Sequence, residues 1–173
     1  GGDTGIGNYG IYVSSGGQLR AGGAGNVIVH GIGGASSGYN NHGVFVTGED
    51  SAVASSGGDV SITGVGGGTG SSASNFGVRV TAAGLVSAGG SGSVVIYGTG
   101  GASSGINNFG VFIGAPNTLV TSQGGDVSIT GIGGNTLSEA VRLANGGTIS
   151  SGGTADLTIT ADSLNVVDST ATI

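Results

Sequence analysis

The chain has 173 residues, of which 43 are Gly, one is Pro and none is Cys, and nine acids against three Arg give it a formal net charge of −6. Without Cys there are no disulfides, thiolate metal sites or Cys nucleophiles. Without Lys or clustered Arg there is no electrostatic footprint for nucleic acid or an anionic membrane, and no apolar run reaches the roughly 20 residues of a membrane-crossing helix.

So much Gly would fit a linker or a disordered tract, but 36% of the residues are hydrophobic and fall in short, evenly spaced clusters. The Gly has no triplet period, so collagen is excluded. The lack of Cys also suits a chain that passes unfolded through a secretion channel.

The first element is a triplet behind Asn-x-Gly: Asn8-Tyr9-Gly10-Ile11-Tyr12-Val13. It returns at Asn41 (Val44-Phe45-Val46), Asn75 (Val78-Arg79-Val80) and Asn108 (Val111-Phe112-Ile113), with spacings of 33, 34 and 33. Val141-Arg142-Leu143 follows a shortened loop that has lost the motif. The second element is a short apolar piece around Leu19, Val53, Val86, Val120 and Ile149. The third is a Val-x-Ile-x strand starting at Val27, Val60, Val94, Val127 and Leu157. All are β-branched with period two and are separated by Gly, Ser and Asn, which is strand and turn chemistry with no helical period. Gly57-Gly58-Asp59-Val60-Ser61-Ile62-Thr63-Gly64 recurs 67 residues later at Gly124–Gly131, so the deeper unit is two coils.

Three strands at a fixed repeat length predict an all-β parallel β-helix: one solenoid domain over residues 1–173, with 33 to 34 residues per coil and about five coils. A β-sandwich also uses many short strands, but constant unit length and residue-by-residue recurrence favour the solenoid. Inward residues include Val44, Val46, Val60 and Ile62. Gly1-Gly2-Asp3 opens in a loop and Thr170–Ile173 closes in strand-like sequence, so the chain reads as a fragment of a longer rod or a fibre protomer that self-associates end to end.

Asn8, Asn41, Asn75 and Asn108 should stack as a structural amide ladder. Tyr9, Phe76 and Phe109, with His42 interrupting, share parity with the inward Val and Ile and are expected as an internal stack. Tyr12, Phe45, Arg79, Phe112 and Arg142 should form an outward column, which would either stack on sugar rings or stack on itself and stiffen the face. Asp59 and Asp126 follow Gly-Gly as in calcium-binding repeats, but they are 67 residues apart, with Asn26 and Ser93 at the matching positions, so they read as solvated turn residues. Glu49-Asp50 reads the same way.

The remaining acids, Asp3, Glu139, Asp156, Asp162 and Asp168, are scattered over turns, and no Gly-x-Gly string precedes a helix. No catalytic residue, metal or cofactor is therefore expected. Ice binding would need regular Thr ranks, which Ile28-His30 and Val95-Tyr97 break.

The run Gly153-Thr154-Ala155-Asp156-Leu157-Thr158-Ile159-Thr160-Ala161-Asp162-Ser163-Leu164-Asn165-Val166, and the Gly-Gly-Asp-Val-Ser-Ile-Thr-Gly units before it, resemble repeats of large bacterial exoproteins of the filamentous-haemagglutinin type. The resemblance implies a right-handed helix, secretion to the bacterial cell surface and a structural or adhesive role; the alternative, drawn from the outward Tyr12, Phe45 and Phe112 column, is binding of surface glycans. It assigns no site residue.

Overall fold

The computed structural model describes residues 4–168 and 170–173; Gly1, Gly2 and Asp3 lie outside the described residues. Sixteen strands form three parallel sheets, and no described residue is helical. The first sheet stacks β1 (Ile11–Val13), β4 (Val44–Thr47), β7 (Val78–Thr81), β10 (Val111–Gly114), β13 (Val141–Ala144) and β16 (Leu164–Val167). The second stacks β2 (Gln18–Ala21), β5 (Ala52–Ser55), β8 (Leu85–Ala88), β11 (Leu119–Ser122) and β14 (Thr148–Ser150). The third stacks β3 (Val27–Ile32), β6 (Val60–Val65), β9 (Val94–Thr99), β12 (Val127–Ile132) and β15 (Leu157–Thr160). The fold is thus a β-solenoid of about five coils. β16 is a sixth member of the first sheet that the repeat count does not include.

Registers place like on like. Val60 pairs with Val94, Val94 with Val127, and Ile62 with Ile96, each residue lying over its copy in the next coil. Side chains alternate in β6, where Val60, Ile62 and Gly64 point in and are buried while Ser61, Thr63 and Val65 lie half exposed. The interior is a Val and Ile column: Val44, Val46, Val53, Val60 and Ile62 have no exposed surface.

In β3, β6, β9 and β12 the third inward position is Gly, for a reason of space, and Ala161 takes it in the fifth coil. A Cβ on Gly98 would stand 2.2 Å from the Gly110 carbonyl oxygen, and one on Gly64 would stand 2.1 Å from that of Gly77. Here the end of the third-sheet strand presses on the Asn-x-Gly corner that opens the first sheet, and backbone touches backbone.

The corner between the first and second sheets explains the two-coil unit. Coils one, three and five turn through Ser15-Gly16, Ala82-Ala83 and Asn145-Gly146, each with positive φ at both residues, as a type I′ turn requires. Coils two and four use a corner one residue longer, with positive φ at Asp50 and Asn117. The longer corners bring in Ser51 and Thr118. Ser51 Oγ accepts the Gly16 N–H at 3.1 Å, and Thr118 Oγ1 accepts the Ala83 N–H at 3.2 Å. Each even coil therefore caps the tight turn of the odd coil before it.

Two substitutions test these contacts. Thr118→Val keeps the shape but removes the acceptor, and should cost about 1 to 2 kcal/mol in urea unfolding, the penalty of one orphaned backbone donor. Gly98→Ala adds one methyl where none fits and should cost about 3 kcal/mol or more, at the upper end of overpacking effects.

Candidate functional site

The stacked side chains gather where the third sheet returns to the first. A loop of eight or nine residues precedes Asn41, Asn75 and Asn108, and the loop carbonyls of Gly5, Gly38 and Gly105 face the ladder and need donors. The Asn side chains answer that need. Asn8 Nδ2 donates to Asn41 Oδ1 at 2.8 Å, Asn41 Nδ2 to Asn75 Oδ1 at 3.0 Å, and Asn75 Nδ2 to Asn108 Oδ1 at 2.9 Å. The backbone N–H of each Asn donates to the same oxygen. Asn8, Asn41 and Asn108 also donate to the loop carbonyls of Gly5, Gly38 and Gly105, three residues earlier. Asn41, Asn75 and Asn108 are fully buried. The ladder ends at Ser138, whose Oγ accepts the Asn108 N–H at 2.9 Å.

Beside the amides run two ring columns, arranged differently from the sequence expectation. Tyr9, His42, Phe76 and Phe109 stack on one another: His42 lies 4.8 Å from Phe76 at 3°, and Phe76 lies 5.2 Å from Phe109 at 5°. His42, Phe76 and Phe109 are buried, as expected of an internal stack, but they lie outside the Val and Ile cluster of the coil interior. They pack against the outward column, as Phe76 does on Phe112 at 5.6 Å and Tyr9 on Phe45 at 5.3 Å. The period-two parity fails because Gly10, Gly43, Gly77 and Gly110 bend the chain between the ring and the strand.

The outward column is correspondingly less open than expected. Tyr12 is 53% exposed but Phe45 only 8%, and Arg79, Phe112 and Arg142 are half-buried. Tyr12 stacks on Phe45 at 5.3 Å, and the Arg79 guanidinium lies 5.0 Å from the Phe45 centroid and 5.7 Å from that of Phe112. Arg142 lies over Phe109 and pairs with Glu139 at 3.4 Å. Ring faces point along the rod and are covered by the neighbouring coil, so Tyr12, at the first coil, has the open face a sugar would need.

His42 and Arg79 form a buried polar unit without a carboxylate. The Phe76 N–H points at His42 Nδ1 and Arg79 Nη1 at His42 Nε2, both at 3.3 Å. A neutral imidazole accepts at only one nitrogen, so either tautomer satisfies one of these two contacts and not the other. Burial first, and the Arg79 charge second, push the His42 pKa from its usual value of 6.5 to about 3. Burial also lowers the Arg79 pKa, against a smaller raising effect of Tyr9. Arg79 Nε is buried without a hydrogen-bond partner, and the Phe45, Phe76 and Phe112 faces supply the stabilisation around the guanidinium.

Asp59 and Asp126 are exposed turn residues, as expected, and they also cap the turns of neighbouring coils. Asn26 Oδ1 accepts the Asp59 N–H, Asp59 Oδ1 the Ser93 N–H, Ser93 Oγ the Asp126 N–H, and Asp126 Oδ1 the Asp156 N–H, at 2.8 to 3.1 Å. Glu49 and Asp50 border a cleft of 670 Å³ that is also lined by Arg20, Ala82, Ala83 and Leu119.

Two exposed apolar stripes escaped the sequence reading. Ile6, Tyr39, Ile106 and Leu137 protrude from the return loops of coils one, two, four and five, and Ile28, Ile32, Val95, Tyr97 and Ile132 stand on the outer face of the third sheet. Their period matches the repeat and would have revealed the stripes had loop positions been aligned. No family model, curated protein or solved structure matches the chain.

Asn75→Ala would strand donors on Asn41 and an acceptor on Asn108 and should cost about 3 kcal/mol or more; Asn8→Ala, at the half-buried end, should cost about 1 kcal/mol. Because the His42 pKa is lowered on folding, its neutral state is fully stabilising above pH 6.5. Stability should fall as pH drops from 6.5 towards 3, by about 4 kcal/mol in all. His42→Phe should remove this slope in urea titrations at several pH values.

Proposed function

We propose that the chain is a structural rod segment of an extracellular, bacterial-surface protein, a spacer or adhesive stalk in which coils stack upon coils. The observation that carries this reading is the continuity of the ladders. Amides, rings, corner hydroxyls and turn carboxylates all direct their bonds along the rod, to the next coil. Such a molecule derives length and stiffness from repetition, with nearest-neighbour contacts supplying its stability. The absence of Lys and the 7% charged content keep like charges from stacking 4.8 Å apart, a spacing set by the parallel sheet. The resemblance to haemagglutinin-type exoproteins supports the cell-surface setting.

A spacer should tolerate a change of length in whole two-coil units. Deleting residues 34–100 joins Gly33 to Gly101 in register and places Thr118 over the Gly16 turn. That variant should fold cooperatively and be about 10 Å shorter in small-angle scattering. Deleting 34–66 alone sets two tight corners in succession and should be less stable than the larger deletion per coil retained. Protease shaving of intact source cells checks the location. Peptides of this chain released from the surface are the expected result; recovery only after lysis would overturn it.

A further inference from the structure

The outer face of the third sheet has a relief with the two-coil period. Its first two outward positions hold Ile28 and His30 in coil one and Val95 and Tyr97 in coil three, all exposed. Coils two and four carry Ser61 with Thr63, and Ser128 with Thr130, which lie half-buried beside their larger neighbours. The registers set these residues in line: Ser61 lies between Ile28 and Val95, and Thr63 between His30 and Tyr97. Large and small side chains thus alternate along the rod as ridges and furrows, about 4.8 Å apart. The third outward position, at Ile32, Val65, Thr99 and Ile132, is β-branched throughout. No outward side chain of these four coils is an acid, Lys or Arg, although the chain has a net charge of −6. A contiguous uncharged, apolar-rich face on an acidic chain marks an association surface.

We propose that two copies of this chain pair through the third sheet, face to face and antiparallel, with the ridges of each seated in the furrows of the other. A two-fold axis along the strands, between coils two and three, sets coil one over coil four and coil two over coil three. Val95 then faces Ser61 of the second copy, Tyr97 faces Thr63, and Ile28 faces Ser128. Every ridge meets a furrow. A parallel pair would set each coil over its own copy, ridge upon ridge. An axis one coil further on would set the furrow of coil two over Thr158 and Thr160, small upon small. The acids select the same axis. At the turn into the third sheet Asp59 and Asp126 fall on the furrow coils, and Asn26 and Ser93 on the ridge coils. The proposed axis brings Asp59 opposite Ser93 and Asp126 opposite Asn26, whereas an antiparallel axis through a coil would set acid against acid. Four strands of six residues span about 19 by 20 Å, roughly 400 Å² on each copy. That is the low end of specific interfaces, so the pair is weak and forms at high concentration.

The test is sedimentation equilibrium with small-angle scattering of the full chain, up to about 1 mM. The expected species is a dimer with a doubled cross-section and nearly unchanged length. Val95→Ser with Tyr97→Thr gives the ridge of coil three the residues that the furrows already carry, so the coil keeps its fold. Association should then weaken at least tenfold. Direction is read by pairing charges. Thr63→Glu alone and Tyr97→Lys alone should each stay monomeric. Their equimolar mixture should dimerise again, because position 63 of one copy meets position 97 of the other. A mixture of Thr63→Glu with Thr63→Lys should stay monomeric. An unchanged urea midpoint for each variant confirms that only the outer face has been altered.

A chain that remains monomeric at about 1 mM would overturn the proposal. So would association into a longer rod of unchanged cross-section, or a dimer indifferent to the loss of Val95 and Tyr97. Dimers recovered by the two position-63 variants, and not by the mixture of positions 63 and 97, would overturn the antiparallel arrangement. The pairing stands on this lateral face alone, and its failure leaves the rod reading untouched.

Discussion

Parallel stacking puts every residue about 4.8 Å from its own counterpart, and side chains are restricted to those that are good neighbours to themselves or to what the next coil offers. Val on Val and Ile on Ile satisfy this with dispersion alone. Amides satisfy it because Asn carries both donor and acceptor. Aromatic rings do so by offset stacking. Like charges do not, and the columns show how they are kept apart. Arg79 and Arg142 share a column, with Phe112 between them. Asp59 and Asp126 share another, separated by Ser93. In the later coils acids do stand one over another, Asp126 over Asp156 and Glu139 over Asp162.

This charge spacing and the corner hydroxyls have the same period. A charged residue needs a neutral neighbour above and below, and a tight type I′ corner needs a hydroxyl from the following coil. Both conditions are met by alternating two kinds of coil, which is the physical content of the 67-residue repeat. Ala82-Ala83 shows how strongly the arrangement constrains the chain. Two consecutive non-Gly residues hold φ of 50° and 65°, a conformation Ala adopts at a cost, while the Ala83 N–H is held by Thr118.

The strands were legible because β-branched runs recur at constant spacing, and the Asn ladder was legible because one residue type recurs at one corner. The ring columns were half legible. Their membership follows from alignment, but the side they occupy depends on a Gly bend that a strict alternation rule cannot see. The exposure of Asp59 and Asp126 in their turns was legible, but their capping bonds were not, because each carboxylate bonds the backbone of another coil, which leaves no local signature. β16 was missed because Leu164–Val167 lacks the preceding Asn-x-Gly, although its register with Val141–Ala144 is as regular as any other.

The ladders also give the rod a direction. Asn8, Asn41 and Asn75 each donate to the Asn of the next coil, so the amide bonds along the run point one way. At Ser138 the hydroxyl accepts from Asn108 and donates to Asn135 Oδ1 within its own loop, and the signal turns inward instead of passing on. From that coil onward the rings give way to Glu139 and Asp162, and the interior thins, with Leu157 and Ile159 only half-buried where Val127 and Ile129 are at 0%. In a solenoid built on like-with-like contacts, the joints weaken where successive coils stop resembling each other and are strongest where the resemblance is complete.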